Sequence, residues 1–121
     1  MAGEIVHLEI PAEDTAEARQ FWSALFGWQF ESYPGPSEYY MTRLGETQGA
    51  AIMSGEGKKG MRPYFSVDDI NAGAASVREL GGAAEEPMAV PSMGWFATCT
   101  DPNGNEFGLW QTDPSAPAPQ G

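Results

Sequence analysis

Near the start of the chain, the spacing of apolar residues changes from two to three or four, which predicts a strand followed by a helix. Val6, Leu8 and Ile10 alternate with more polar residues, as expected of a half-buried strand. His7 and Glu9 therefore lie together on the other face of this strand.

The next segment carries the signals of a helix with defined ends. Asp14-Thr15-Ala16-Glu17 has the form of a capping box, and Gly27 is a typical residue at the end of a helix. Between them runs an apolar stripe that we expect a sheet to cover, formed by Ala18, Phe21, Trp22, Leu25 and Phe26.

Short extended stretches separated by turn residues predict a meander of strands after this helix. These strands span Trp28–Tyr33, Glu38–Leu44 and Gly49–Met53. The same order of elements then returns, with a strand at Arg62–Val67, a helix opened by Asp68-Asp69 and ended at Gly81-Gly82, and further strands at Glu85–Val90, Gly94–Thr100 and Glu106–Gln111.

The two halves of the chain align with each other, which indicates an internal duplication. Val6-His7-Leu8-Glu9-Ile10 aligns with Pro63-Tyr64-Phe65-Ser66-Val67, and apolar positions match apolar positions. We therefore predict an α+β fold of two βαβββ modules. The predicted boundaries are a single domain at 1–112, with module one at 4–54, a linker at 55–60 and module two at 61–112, followed by a disordered Pro/Ala tail at 113–121.

Composition limits the classes of function. The chain has 121 residues and a formal net charge of -11, which disfavours nucleic acids and anionic membrane surfaces as partners. Its single cysteine, Cys99, precludes an internal disulfide and fits a reducing compartment. No apolar run approaches membrane-spanning length, so we expect a cytoplasmic protein.

Three segments in order resemble the vicinal oxygen chelate superfamily, which includes glyoxalase I, bleomycin-resistance proteins, fosfomycin-resistance enzymes and extradiol dioxygenases. These segments are Val6-His7-Leu8-Glu9-Ile10-Pro11, Phe21-Trp22-x-x-Leu25-Phe26-Gly27-Trp28 and Asp101-Pro102-Asn103-Gly104-Asn105. The resemblance implies an open, eight-stranded, barrel-like sheet with the helices outside and a small-molecule cavity between the modules. It allows the modules to pair within one chain or to swap between two, and we favour a homodimer.

The resemblance also implies where a metal would bind. In metal-dependent members, four positions hold a divalent metal, and they correspond here to His7, Ala51, Tyr64 and Gly108. Only His7 is an ordinary ligand, whereas catalytic metals need about three protein ligands. We therefore predict a degenerate metal site with space where the metal would lie, and we assign no metal ligands and no cofactor. A divalent metal would require Glu9 or Glu106 to supplement His7.

His7 is the only histidine, so any imidazole chemistry belongs to it. The candidate catalytic residues are His7, Tyr64 and Glu106, which offer an imidazole, a phenol and a carboxylate. The predicted ligand-binding cavity is lined by His7, Glu9, Ala51, Met53, Tyr64, Ser66, Trp95, Gly108 and Trp110.

Three functions follow from these residues. The first is a protein like the bleomycin-resistance members, which binds an aromatic or oxygen-rich molecule without the family's full metal site. The alternative is a metal-dependent lyase, isomerase or dioxygenase with a rearranged ligand shell around His7. The third is a metal-free enzyme in which Tyr64 and a carboxylate transfer protons. The sequence does not decide whether the protein is an enzyme.

Overall fold

The computed structural model describes residues 2–35, 37–55 and 60–118, and its elements follow the predicted order. The first module contains β1 (Ile5–Ala12), α1 (Thr15–Phe26), β2 (Glu31–Ser32), β3 (Tyr39–Arg43) and β4 (Gly49–Ser54). The second contains β5 (Arg62–Ser66), α2 (Ile70–Glu79), β6 (Ala83–Ala84), β7 (Met88–Val90), β8 (Gly94–Thr100) and β9 (Glu106–Thr112). The α+β fold of two βαβββ modules is confirmed, with the second strand of module two in two pieces. Residues 56–59 of the predicted linker and 119–121 of the predicted tail lie outside the described residues.

Both helices begin at an aspartate that caps them. The side chain of Asp14 accepts a hydrogen bond from the Glu17 N–H at 3.0 Å, and Asp69 does the same for the first amides of α2. Gly27 ends α1 in the left-handed region, with φ 75, and its N–H donates to the Ser23 carbonyl. Neither of these helices has the length and apolar composition needed to cross a membrane.

The apolar stripe of α1 is only partly covered, so the expectation that a sheet buries it was wrong. Phe21, Leu25 and Phe26 are each more than half exposed. The aromatic rings pack on each other instead: Trp22 stacks on Trp28 with ring centres 5.2 Å apart, and Phe26 lies 5.3 Å from the same ring. Ring–ring contacts stabilise the part of the stripe that the sheet leaves uncovered.

The chain forms two compact units, His7–Arg62 and Met1–Val6 with Pro63–Gly121. In the first unit the strands lie in the order β2, β3, β4, β1. Ile10 and Tyr40 both pair with Ile52, so these three share a face. The Arg19 guanidinium of α1 lies 3.8 Å from the centre of the Tyr40 ring, which places α1 over this face. The opposite face, here called the His7 face, carries Glu31, Tyr39, Met41, Arg43, Gly49, Ala51, Met53, His7 and Glu9.

In the second unit β5 pairs with β9, β9 with β8, and both β6 and β7 run along β8. The core under α2 consists of Ile70, Ala97, Cys99 and Leu109. Of the strand predicted at Glu85–Val90, only Met88–Val90 forms a strand, and the short strand β6 (Ala83–Ala84) precedes the predicted range. Pro87, between the two strands, has no N–H to donate to the ladder. Glu85 still donates to the Thr98 carbonyl at 2.9 Å.

Residues 113–116, at the start of the segment that composition predicts as a disordered tail, form hydrogen bonds with the turn between β7 and β8 and with Trp95. Asp113 donates its N–H to the Met93 carbonyl, and Ser92 donates to the Ala116 carbonyl. The side chain of Asp113 also accepts from the Trp95 indole N–H at 3.0 Å, and Ala116 is buried. Amino-acid composition could not predict these contacts, because backbone groups and a single aspartate side chain form them.

Candidate functional site

Four polar side chains form a continuous network on the His7 face of the first unit. His7 Nε2 lies 2.8 Å from the Tyr39 hydroxyl, and this hydroxyl donates to Glu9 Oε2 at 2.9 Å. The other carboxylate oxygen of Glu9 lies 3.7 Å from the Arg62 guanidinium. The predicted residues His7 and Glu9 are therefore brought together, and sequence reasoning missed Tyr39, which joins them.

Strand order explains how Tyr39 reaches His7. β4 lies between β1 and β3, and its residues Gly49 and Ala51 pair with His7 and Glu9. Both are small, so the Tyr39 side chain has room to cross β4 and stack on the imidazole, with ring centres 6.3 Å apart and an interplanar angle of 20°. The predicted strand Glu38–Leu44 placed a tyrosine on the same face as His7. It did not tell whether this tyrosine is Tyr39 or Tyr40, because the two are adjacent and a shift of one residue exchanges their faces.

The hydrogen bonds define which nitrogen of His7 carries the proton. The one hydroxyl hydrogen of Tyr39 is donated to Glu9, so the Tyr39 oxygen accepts from His7, and Nε2 is the protonated nitrogen. Burial lowers the pKa of His7 from its ordinary 6.5, although the negative charge of Glu9 acts in the opposite direction. His7 is therefore a neutral imidazole at pH 7.

These donors do not fit a divalent metal. Within residues 2–35, 37–55 and 60–118, no three His, Cys, Asp or Glu side chains converge. His7 Nε2 is bound to Tyr39, and Glu9 is bound to Tyr39 and paired with Arg62, whose positive charge opposes a second cation. Glu106, the other residue predicted to supplement His7, is exposed at the start of β9.

In the second unit, the Tyr64 ring occupies the space beside Gly108, so the open space predicted at Gly108 is absent. The two residues pair across β5 and β9, and a Cβ atom at Gly108 would meet the Tyr64 ring, 2.9 Å from its Cγ. Tyr64 is only 5% exposed. The Tyr64 ring therefore packs against one of the positions at which the sequence resemblance implied a metal ligand.

The predicted position of Trp95 was wrong. Trp110 pairs with Phe96 and shares a face with Gly108, whereas Trp95, one residue before Phe96, lies on the opposite face. Trp95 packs on the core under α2 and donates its indole N–H to Asp113. Both Trp95 and Phe96 are apolar, so alternation alone could not assign their faces.

The remaining predicted residues are placed as follows. Met53 lies on the His7 face beside Tyr39, its pairing partner. Ser66 ends β5, where its backbone pairs with Gly3 and Glu4. The catalytic roles of His7, Tyr64 and Glu106 and the lining of a shared cavity stay predictions.

A shallow depression lies at the edge of the His7 face. Its volume is about 440 Å³, and it is lined by Arg43, Leu44, Gly45 and Glu46 at the turn between β3 and β4. Arg43 pairs with Gly49, which pairs with His7. The depression therefore borders the row of residues that leads to the imidazole.

Comparison with known proteins gives the same fold and family. The family model of the glyoxalase-like domain matches residues 6–110. The protein named "Putative glyoxylase CFP32" of Mycobacterium tuberculosis is 32% identical over 116 residues, which cover 88% of this chain and 44% of that protein. The chain thus spans less than half the length of this relative. A glyoxylase-like domain-containing protein of Didymella fabae is 32% identical over 94 residues, covering 66% of this chain and 70% of that one.

Among solved structures, a variant of Streptomyces coelicolor methylmalonyl-CoA epimerase in complex with 2-nitronate-propionyl-CoA superposes with a TM-score of 0.73. The match covers 98% of this chain and all of the epimerase, at 17% sequence identity. At this identity the likeness concerns the fold. It confirms the α+β fold expected from the sequence resemblance.

Proposed function

Because the chain belongs to the family of glyoxalase-like domains, we propose that it binds a small aromatic or oxygen-rich organic molecule on the His7 face, without a divalent metal of its own. The observation that carries this proposal is the network of His7, Tyr39, Glu9 and Arg62. It places an imidazole, a phenol, a carboxylate and a guanidinium within one short stretch of sheet. Side chains of this kind orient a ligand by hydrogen bonds.

Aromatic rings at the same place support a flat ligand. Tyr39 stacks on His7, and the Tyr33 ring meets Tyr39 edge-on with centres 6.1 Å apart. These half-buried rings offer apolar surface next to polar atoms, which is the usual composition of a small-molecule site.

The alternative function is a metal-dependent lyase, isomerase or dioxygenase with a rearranged ligand shell around His7. The shared fold with methylmalonyl-CoA epimerase favours it. A metal bound to His7 Nε2 would have to displace the Tyr39 hydroxyl from this nitrogen. The metal content of the protein and of variants at His7 and Tyr39 therefore distinguishes the alternative from the main proposal.

The first experiment is elemental analysis of the protein and of the variants His7→Ala and Tyr39→Phe. The main proposal expects less than a stoichiometric amount of any transition metal in all three. Stoichiometric metal in the natural protein that is lost in His7→Ala would establish the alternative.

The second experiment is titration of the isotope-labelled protein with a panel of compounds, followed by amide NMR shifts. The panel contains phenols, benzamides, a quinone and propionyl-CoA, the last because the epimerase of similar fold binds a CoA ester. The proposal expects shifts centred on β1, β3 and β4, and their loss in Tyr39→Phe or His7→Ala. Shifts confined to α1, or none with any compound, would refute it.

A further inference from the structure

Helix α1 carries a cluster of exposed apolar side chains in its second half. Phe21, Leu25 and Phe26 are three of the nine large apolar residues that are exposed among the described residues. The other six lie in six different strands, turns or helix ends. A single exposed apolar side chain is ordinary, whereas several on one short helix mark a surface that another molecule covers.

Aromatic rings extend this cluster beyond the end of α1. Phe21 meets Trp22 edge-on with ring centres 5.3 Å apart, and Phe30 lies 6.3 Å from Trp28, on which Trp22 stacks. Side chains that already hold each other in place lose little conformational entropy when they bind a partner. The name aromatic surface is used here for Phe21, Trp22, Leu25, Phe26, Trp28 and Phe30.

The aromatic surface is uncharged, although the whole chain has a formal net charge of -11. No Asp, Glu, Lys or Arg occurs between Phe21 and Phe30. Two copies of an acidic chain repel each other, so the contact between them that costs least is one that brings no carboxylates together. The same net charge opposes binding to an anionic lipid surface.

Two copies of the aromatic surface are complementary to each other. In a two-fold dimer the same patch lies on both sides of the contact, and an apolar patch suits a second apolar patch. Phe21 and Leu25 are four positions apart on α1, so they form a ridge along the helix. Ridges of this kind pack into the grooves of a second helix.

The exposed area suits the centre of such a contact. Phe21, Leu25 and Phe26 are 59%, 55% and 58% exposed, which leaves roughly 300 Å² of apolar area on each copy. A standard interface buries about 800 Å² per partner, with an apolar centre and a polar rim. Gln20 and Gln29 are exposed beside these residues in the chain and supply uncharged polar groups for the rim.

We propose that the aromatic surface is the contact through which two copies of this chain form a two-fold symmetric dimer. A second copy fits better than a lipid surface, because the patch is self-complementary and the chain is acidic. The proposal is independent of the ligand of the His7 face.

The oligomeric state of the natural protein is the first measurement. Sedimentation equilibrium should show a dimer with a dissociation constant below about 100 µM. Added salt should strengthen this dimer, because salt screens the repulsion between two acidic chains. A protein that stays monomeric at about 200 µM overturns the proposal, and if that monomer binds phosphatidylcholine vesicles, the surface belongs to a lipid membrane instead. A dimer that added salt weakens is held by ion pairs at another surface, which also overturns it.

Lysine substitutions test which surface forms the dimer. Leu25→Lys and Phe21→Lys each place two ammonium groups in an apolar contact, so the dissociation constant should rise at least about tenfold. A cation in the last turn of a helix is favourable, so Leu25→Lys should fold, as its circular dichroism spectrum will show. Leu80→Lys is the matched control, since it makes the same exchange at a residue that is 79% exposed at the end of α2. It should leave the dissociation constant unchanged.

Hydrogen exchange locates the contact without any substitution. In the natural protein, exchange within residues 15–30 should slow between about 1 and 200 µM, while exchange in α2 should not change. A dimer that persists unchanged in Leu25→Lys and Phe21→Lys, or that Leu80→Lys weakens equally, forms through another surface. If either lysine variant at the aromatic surface fails to fold, the exchange data decide, and equal exchange of residues 15–30 at both concentrations overturns the proposal.

Discussion

The Nε2 atom of His7 lies 2.8 Å from the hydroxyl oxygen of Tyr39, although 32 positions separate the two residues in the chain. The contact exists because β4 pairs with β1 on one side and β3 on the other. The same hydroxyl donates to Glu9, so one phenol fixes the proton on His7 and satisfies a half-buried carboxylate. The candidate site thus depends on a residue that contributes to it only after the sheet has formed.

Tyr39→Phe should destabilise the protein by about 1–3 kcal/mol, because it leaves His7 Nε2 and one oxygen of Glu9 without the hydroxyl that they share. Urea denaturation measures the change. Tyr33→Phe removes the hydroxyl oxygen from the ring that touches Tyr39 edge-on, and we expect it to lower the free energy of unfolding by less than half as much. Equal losses in the two variants would show that the shared hydroxyl has no special role.

The pKa of His7 should make stability depend on pH near neutrality. Burial lowers this pKa in the folded protein, so the unfolded chain binds more protons just below the ordinary value of 6.5. The stabilisation is therefore complete above pH 6.5 and declines as the pH falls from 6.5 towards the folded pKa. Thermal unfolding between about pH 5.5 and 7.5 measures this slope, above the range in which ordinary carboxylates titrate.

His7→Gln provides the control for that measurement, because His7 is the only histidine of the chain. The slope should disappear in this variant, and an NMR titration of the imidazole in the natural protein should give a midpoint below 6.5. A midpoint above 6.5 would mean that the charge of Glu9 outweighs burial, and stability would then fall with rising pH instead.

The parts of the fold determined by local sequence could be predicted, and the parts determined by which face a strand presents could not. The capping aspartate Asp14 and the terminating Gly27 fix α1 through contacts within a few residues, and both ends were predicted correctly. Strand β8 was also placed correctly, but its adjacent Trp95 and Phe96 are both apolar, and Trp95 was assigned to the wrong face. Tyr39 was missed because its role depends on pairing across three strands.

Gly108→Ala should destabilise the second unit by about 1–3 kcal/mol, because the added methyl group would overlap the Tyr64 ring, which is buried and has little room to move. Gly35→Ala is the control, since a Cβ there meets no atom within 4 Å. Chemical denaturation compares the two. A loss at Gly108 no larger than at Gly35 would show that the Tyr64 ring moves aside at little cost.

Asp113→Ala should release the segment that follows β9. The Ser115 side chain and the Trp95 indole N–H both donate to the Asp113 carboxylate, and together with the Ser115 backbone N–H they lower its pKa. Because the pKa of the folded state lies below the ordinary 3.8, this stabilisation is present above pH 3.8 and is lost as the pH falls through the folded value. The variant should therefore lower Tm at pH 7 and speed amide exchange at Ala116, whose N–H donates to the Asp113 carbonyl.

The double variant with Trp95→Phe should lower Tm by less than the sum of the two single effects, since each removes the same hydrogen bond. Fully additive effects, or unchanged exchange at Ala116 in Asp113→Ala, would show that the backbone contacts of Ser92 and Met93 hold this segment without the carboxylate.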